Sequence, residues 1–165
     1  MDPSNKKNGV NDLDDKLKDL ATINDIKTLE EQLTSAPPTD LIYFTAQCTS
    51  TFRHTEQTVI FSKIIAGSPV AFERSVFTAK VRGIYHFAFS NAHGGHVPHI
   101  QIMHNDRAVC NAYSNESSHW ETISCSATLM LDVNDTVYVK LLSGKVLCSS
   151  STPYAIFNGF LITRA

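Results

Sequence analysis

Gly83-Ile84-Tyr85-His86-Phe87-Ala88-Phe89 is the stretch that decides how the rest of the chain reads. Successive side chains of a strand point to opposite faces, so Tyr85, Phe87 and Phe89 share one side and His86 and Ala88 the other. Three rings at period two describe a strand with its aromatic side in a core and His86 turned outward. Short runs rich in aromatic and β-branched residues recur around it: Leu41 to Ala46, Thr58 to Ile65, Ser75 to Val81, Ile84 to Ser90, Ile100 to His104, Cys125 to Leu131, Thr136 to Leu142 and Ile156 to Thr163. Asn105-Asp106 and Asn134-Asp135 are turn dipeptides between apolar runs and fit hairpin links. Eight or more short strands predict an all-β, antiparallel sandwich or barrel.

Toward the N-terminus the pattern changes. Residues 1 to 40 hold 14 of the 30 charged residues but none of the 15 aromatics, seven histidines or four cysteines. Leu13, Leu17, Leu20, Ile23, Ile26, Leu29 and Leu33 fall three or four apart, which is a helix stripe. Asp12 with Lys16 and Asp14 with Lys18 add acid-before-base pairs, each worth about 0.2 to 0.5 kcal/mol on an exposed helix. A lone helix of this length is marginal in water, so the stripe predicts self-association through a coiled coil. The three steps of three from Leu20 to Leu29 interrupt its heptads. Pro37 and Pro38 end the helix. Residues 1–38 therefore read as a helical stalk with a proline linker, and residues 39–165 as the β domain.

From residue 41 onward only 16 of 125 positions are charged, a composition that can bury a core without metals or disulfides as scaffolding. The formal net charge of -2 and the absence of a basic stripe argue against nucleic acid. No apolar run is long enough to span a membrane. Met1 to Val10 lacks the apolar centre of a signal peptide, and the tripeptides Asn115-Glu116-Ser117 and Asn134-Asp135-Thr136 favour secretion only slightly. Cys48, Cys110, Cys125 and Cys148 contain no C-x-x-C pair; they allow three pairings in an oxidising compartment, or buried free thiols.

In order along the chain, these runs carry a family resemblance. Phe77-Thr78-Ala79, Gly83 to Phe87, Leu129-Met130-Leu131-Asp132-Val133-Asn134-Asp135-Thr136-Val137-Tyr138-Val139 and Phe157-Asn158-Gly159-Phe160-Leu161-Ile162 resemble the C1q globular-head signature of the C1q/tumour necrosis factor superfamily. Its signature residues here are Phe77, Gly83, Tyr85, Phe87, Asp135, Val137, Phe157, Gly159 and Phe160. Val59 to Ile65 and Ile100 to Asn105 resemble an early and a middle strand of that family, and the resemblance spans about residues 40 to 165. Ser75 and Lys80 stand where the family usually has Gly and Pro, and Asn134 where it has Gly; Asn tolerates the same positive-φ turn. The resemblance implies a ten-stranded jelly roll that is secreted and assembles as a homotrimer, to which a coiled stalk is suited. Collagen repeats are absent, since no Gly-X-Y period exists.

Two loops hold candidate binding residues. His93, His96 and His99 fall three apart in His93-Gly94-Gly95-His96-Val97-Pro98-His99, ahead of His104, on a predicted loop. Imidazoles so spaced could ligate zinc, copper or nickel, or form a pH-sensitive contact surface. Some C1q-like domains hold calcium in the loop corresponding to Ser114 to Glu121, where Asn115, Glu116 and Glu121 supply oxygens toward the six or so that calcium takes. Trp120 in that loop could stack on a sugar or anchor a partner. No G-x-S-x-G elbow, P-loop, H-E-x-x-H or dinucleotide fingerprint is present, so the chain is not expected to be an enzyme. The leading expectation is an innate-immune recognition lectin that binds glycans or microbial surface ligands through thrice-repeated loops. The rivals are a cerebellin-like or tumour-necrosis-factor-like ligand for a cell-surface receptor and a structural assembly protein.

Overall fold

The computed structural model describes residues 41–67, 72–115 and 118–165, together with residue 23 and residues 26–28. The chain divides into two units, Met1–Asp40 and Leu41–Ala165. In the first, Ile23 and residues 26–28 are helical, and Ile23 and Ile26 are exposed. Leu13, Leu17, Leu20, Leu29, Leu33, Pro37 and Pro38 lie outside the described residues. No helix among the described residues is long and apolar enough to cross a membrane.

The second unit is built of strands alone: β1 (Tyr43–Gln47), β2 (Gln57–Thr58), β3 (Lys63–Gly67), β4 (Phe72–Glu73), β5 (Val76–Thr78), β6 (Gly83–Gly94), β7 (His99–His104), β8 (Arg107–Tyr113), β9 (Trp120–Leu131), β10 (Thr136–Ser143) and β11 (Ala155–Arg164). They form two antiparallel sheets, β3-β1-β11-β6-β9 and β4-β5-β10-β7-β8, with two-residue β2 pairing with β10. Ten strands thus lie on the two paths, the jelly-roll sandwich that the resemblance implied, and β2 is an addition at a sheet margin.

Two details depart from the sequence reading. The run Thr58 to Ile65 is not one strand: its start joins β10 through β2, Val59 N–H donates to Val139 O at 2.8 Å, and from Lys63 the chain pairs with β1 in the opposite sheet. Val59 and Phe61 are buried while Ile60, Ile64 and Ile65 are exposed, but all five are apolar, so hydropathy cannot distinguish a run that changes sheets from a continuous strand. β8 has no counterpart among the predicted runs because Arg107-Ala108-Val109-Cys110-Asn111-Ala112-Tyr113 lacks clear alternation, and a bulge opposite Ile102 and Met103 shifts its register.

The core follows from alternation along β6 and β11. Tyr85, Phe87 and Phe89 point inward beside Phe157, with Phe44 and Phe77 closing over them. Ring pairs meet stacked or edge-on, Phe44 with Phe72 at 4.1 Å and Phe77 with Phe87 at 5.1 Å. The one phenol in this cluster is satisfied, because Tyr85 Oη donates to Val81 O at 2.8 Å. At Gly159 a Cβ would come within 2.5 Å of the Phe87 ring and 2.8 Å of the Phe44 ring, so the rings leave room for glycine alone. Among the signature residues, Asp135 is half-buried and Phe160 is exposed, while the others are buried. Phe160 does not share the core with Phe157: Phe157 and Gly159 face inward, and the next residue must face out.

Turns carry the rest. Arg74 and Ser75 link β4 to β5 with φ of 50° and 69°, the pair of positive values that a two-residue hairpin turn demands. Ser75 thus adopts glycine-like geometry where the family usually has glycine, and its buried hydroxyl accepts a hydrogen bond from Phe61 N–H at 2.8 Å. At the other end, Asp135 ties two turns together. Its carboxylate accepts bonds from Asn105 Nδ2 (2.9 Å) and Asp132 N–H (3.0 Å) and faces His104 Nε2 at 3.0 Å. The Asn105 bond, then Asp132 N–H and His104, hold the Asp135 carboxyl below its ordinary pKa of 3.8.

Of the three cysteine pairings, the structure takes Cys48–Cys148, with Cα atoms 5.2 Å apart and a sequence separation of 100; Cys110 and Cys125 are free thiols. Burial, reinforced by the neighbouring Cys110, pushes the Cys125 thiol far above its ordinary range. Its half-buried side chain packs against the core, as free cysteines commonly do.

Two outcomes follow for stability. Replacing Cys48 and Cys148 together by serine should cost about 2 to 5 kcal/mol, read from urea unfolding at neutral pH, because the bridge closes a long loop in the unfolded chain. Asp135 has a lowered folded-state pKa, so its contribution is complete above the unfolded value and is lost as pH falls through the folded one. Asp135→Asn should therefore flatten the loss of stability below about pH 4; an acid-unfolding curve as steep as the parent's would contradict this.

Candidate ligand-binding surface

The residues predicted for binding sit where β6 and β9 reach one end of the sandwich. The two strands pair to their limit, with His93 opposite Glu121 and Gly94 opposite Trp120. This corrects the predicted histidine loop, since β6 runs to Gly94, four residues past the predicted end at Ser90. Odd-numbered positions stay inward through Asn91, so His93 is 0% exposed and presents nothing to a ligand. Neither His93 ring nitrogen has a hydrogen-bond partner among the described residues. His96 is half-buried in the following loop, and His99 opens β7 with its ring edge-on to Tyr113 at 5.8 Å.

The three histidines therefore do not converge. Among the described residues no group of three His, Cys, Asp or Glu could hold a metal ion. The predicted calcium donors fare similarly: Glu116 lies outside the described residues, Asn115 is exposed, and Glu121 Oε2 accepts a bond from Ser114 Oγ at 2.6 Å. Among the described residues the predicted set contributes only Asn115 and Glu121, against the six to eight oxygens that calcium takes.

Trp120 is placed differently from a core residue. Its indole is 63% exposed and lies across Gly94, where a Cβ would come within 3.0 Å of the ring. On the same ring system Tyr154 packs at 5.6 Å with 34° between planes. Gly94, Trp120 and Tyr154 thus form a solvent-facing aromatic platform of the kind that stacks on the apolar face of a ring. Tyr154 escaped the sequence reading because it is far from Trp120 along the chain. Beside this platform a groove of about 580 Å³ runs between β8 and β9, lined by Asn111 to Tyr113 and Glu121 to Ser124.

A second surface is the outer face of the β3-β1-β11-β6-β9 sheet. Tyr43, Phe160, His86 and Thr128 stand in one cross-strand row. The His86 ring lies 5.5 Å from that of Phe160, and its Nδ1 is 3.0 Å from Thr128 Oγ1. Tyr43, Met130, Phe160 and Ile162 expose 43%, 48%, 42% and 53% of their surfaces. Further along, Ala88, Ser90, Ser124, Ser126 and Asn158 line a trough of about 400 Å³ next to His86. From Thr122 to Leu131 on β9, and throughout β1 and β6, no Asp, Glu, Lys or Arg occurs.

Comparison with known proteins agrees with this geometry. The sequence profile of the C1q domain matches residues 43–162. The globular domain of zebrafish complement 1qA is 25% identical, covers 75% of this chain and 99% of its own, and superposes with a TM-score of 0.64. Murine APRIL, at 10% identity, covers 74% of this chain and 99% of its own with a TM-score of 0.57, and shares the fold. Protein HP-25 homolog 1 of Bos taurus is 23% identical over 128 residues, 76% of this chain; the chain spans 60% of that relative's length. With the profile covering most of the β unit and the fold matching a complement head, the chain belongs to the C1q domain family.

Proposed function

We propose that this protein is a secreted, homotrimeric recognition protein that binds glycans or other microbial surface ligands without catalysing a reaction. C1q-domain proteins serve in recognition or signalling, and this reading is the recognition branch of that choice. The observation that carries it is the outer face of the five-stranded sheet, where exposed Tyr43, Met130, Phe160 and Ile162 lie to one side of an uncharged trough. Such a contiguous apolar area on a sheet has little reason to face water and suits burial against further copies of the chain. Self-association then sets three Trp120–Tyr154 platforms on one particle. A weak contact at each platform gains avidity when all three engage one surface.

Two measurements test this. In sedimentation equilibrium the full chain should weigh about three protomers, and Phe160→Asp should give monomers at micromolar concentration by placing a charge in the buried face; a parent chain that is monomeric there would end the assembly reading. On a glycan array, Trp120→Ala should lose at least about tenfold in binding, the loss typical of a central aromatic contact. Array silence combined with saturable, nanomolar binding to one cell-surface protein would instead select the signalling branch.

A further inference from the structure

The loop after β6 is held in a strained shape against Gly144. Val97 has a φ of 43°, a region that β-branched residues rarely enter and that persists only where surroundings impose it. Gly144 lies beneath: its own φ is 74°, and a Cβ there would collide with Val97 O and come within 2.7 Å of His96 O. Lys145 follows Gly144, and Val146 forms an antiparallel bridge with Phe52 through two 3.0 Å hydrogen bonds. That register sets Arg53 across from Lys145, both turned away from buried Phe52 and Val146. Neither cation has an ion-pair partner among the described residues. Like charges directly opposed on neighbouring segments destabilise, and a bound anion would remove that repulsion.

We propose that Arg53, Lys145 and His96 form an anion-binding site for a sulfate or phosphate monoester carried on a sugar. The Arg53 guanidinium offers paired N–H donors to two oxygens, Lys145 a compact charge, and His96 a third donor when protonated. The groups acting on His96 are Lys145, Arg53, buried His93 and the Gly95 backbone, with no carboxylate among them. Burial first, then Lys145, with smaller effects from Arg53 and His93, hold His96 below its ordinary pKa of 6.5, and only the Gly95 backbone opposes them. An anion reverses the cationic field, so binding takes up a proton and strengthens as pH falls. This site deepens the recognition reading and rests on it for a biological ligand.

Calorimetric titration of the full chain with glucosamine 6-sulfate, glucosamine 6-phosphate and neutral N-acetylglucosamine, at about pH 7.5 and about pH 5.5, tests the assignment. At least one ester should bind, and which ester binds distinguishes a sulfated from a phosphorylated source; relative to His96→Gln with the same ester, the parent should gain affinity at the lower pH, a comparison that cancels the titration of the phosphate at about pH 6. Arg53→Ala with Lys145→Ala should weaken ester binding at least about tenfold. The control pair Lys63→Ala with Arg74→Ala, equal in charge change, should leave it intact. His96→Gln should preserve binding at the higher pH and lose the parent's gain at the lower pH, leaving only the titration of the ester itself. If the double variant loses its unfolding transition, Lys145→Met, which keeps the aliphatic stem, takes its place. Binding of neither ester, equal weakening by the control pair, or an unchanged Arg53/Lys145 variant would overturn the site. Neutral glycans still bound through Trp120 in that event would leave the recognition reading standing.

Discussion

The sandwich depends on the closeness with which aromatic rings pack against the backbone at Gly159. Phe87 from β6 and Phe44 from β1 both reach the space a side chain at that position would occupy. This lets β11 run between β1 and β6 with Phe157 interleaved among the rings. Interior packing at crystal-like density tolerates neither a void nor an added methyl here. Once β11 is seated, the registers of β1 and β6 are set against it residue by residue.

The same alternation that fills the core prepares the outer face. Each residue following an inward position on β6 and β11 turns outward, and His86 after Tyr85, Phe160 after Gly159 and Ile162 after Leu161 are what those positions hold. Strand geometry divides the apolar residues of this charge-poor domain between the interior and the exposed outer face. At the end of the sandwich this division places buried His93 beside exposed Trp120, although both belong to paired strand ends.

Much of this was legible in one dimension. The period-two rings of Tyr85, Phe87 and Phe89 marked inward positions, and Asn105 and Asn134 marked turns that do take positive φ, 51° and 75°. Local physics sufficed there, because alternation and turn chemistry act over a few residues. The candidate site was less legible. The His93 to His99 spacing suggested a cluster, but strand pairing with Glu121 carried His93 inward and left His96 alone in the loop. Likewise Tyr154, Arg53 and Lys145 had no local signal of any role, since each gains meaning from a residue distant in sequence.

By itself the sequence determined the fold class, the inward ring positions, the turns and the family likeness, all of which follow from local periodicity and residue order. Only the tertiary structure decided that Cys48 joins Cys148, that Phe160 faces out while Phe157 faces in, and that Arg53 stands opposite Lys145. These are consequences of long-range pairing. Which distant strands meet, and in what register, is set by packing the whole core at once, and no window of neighbouring residues contains that information.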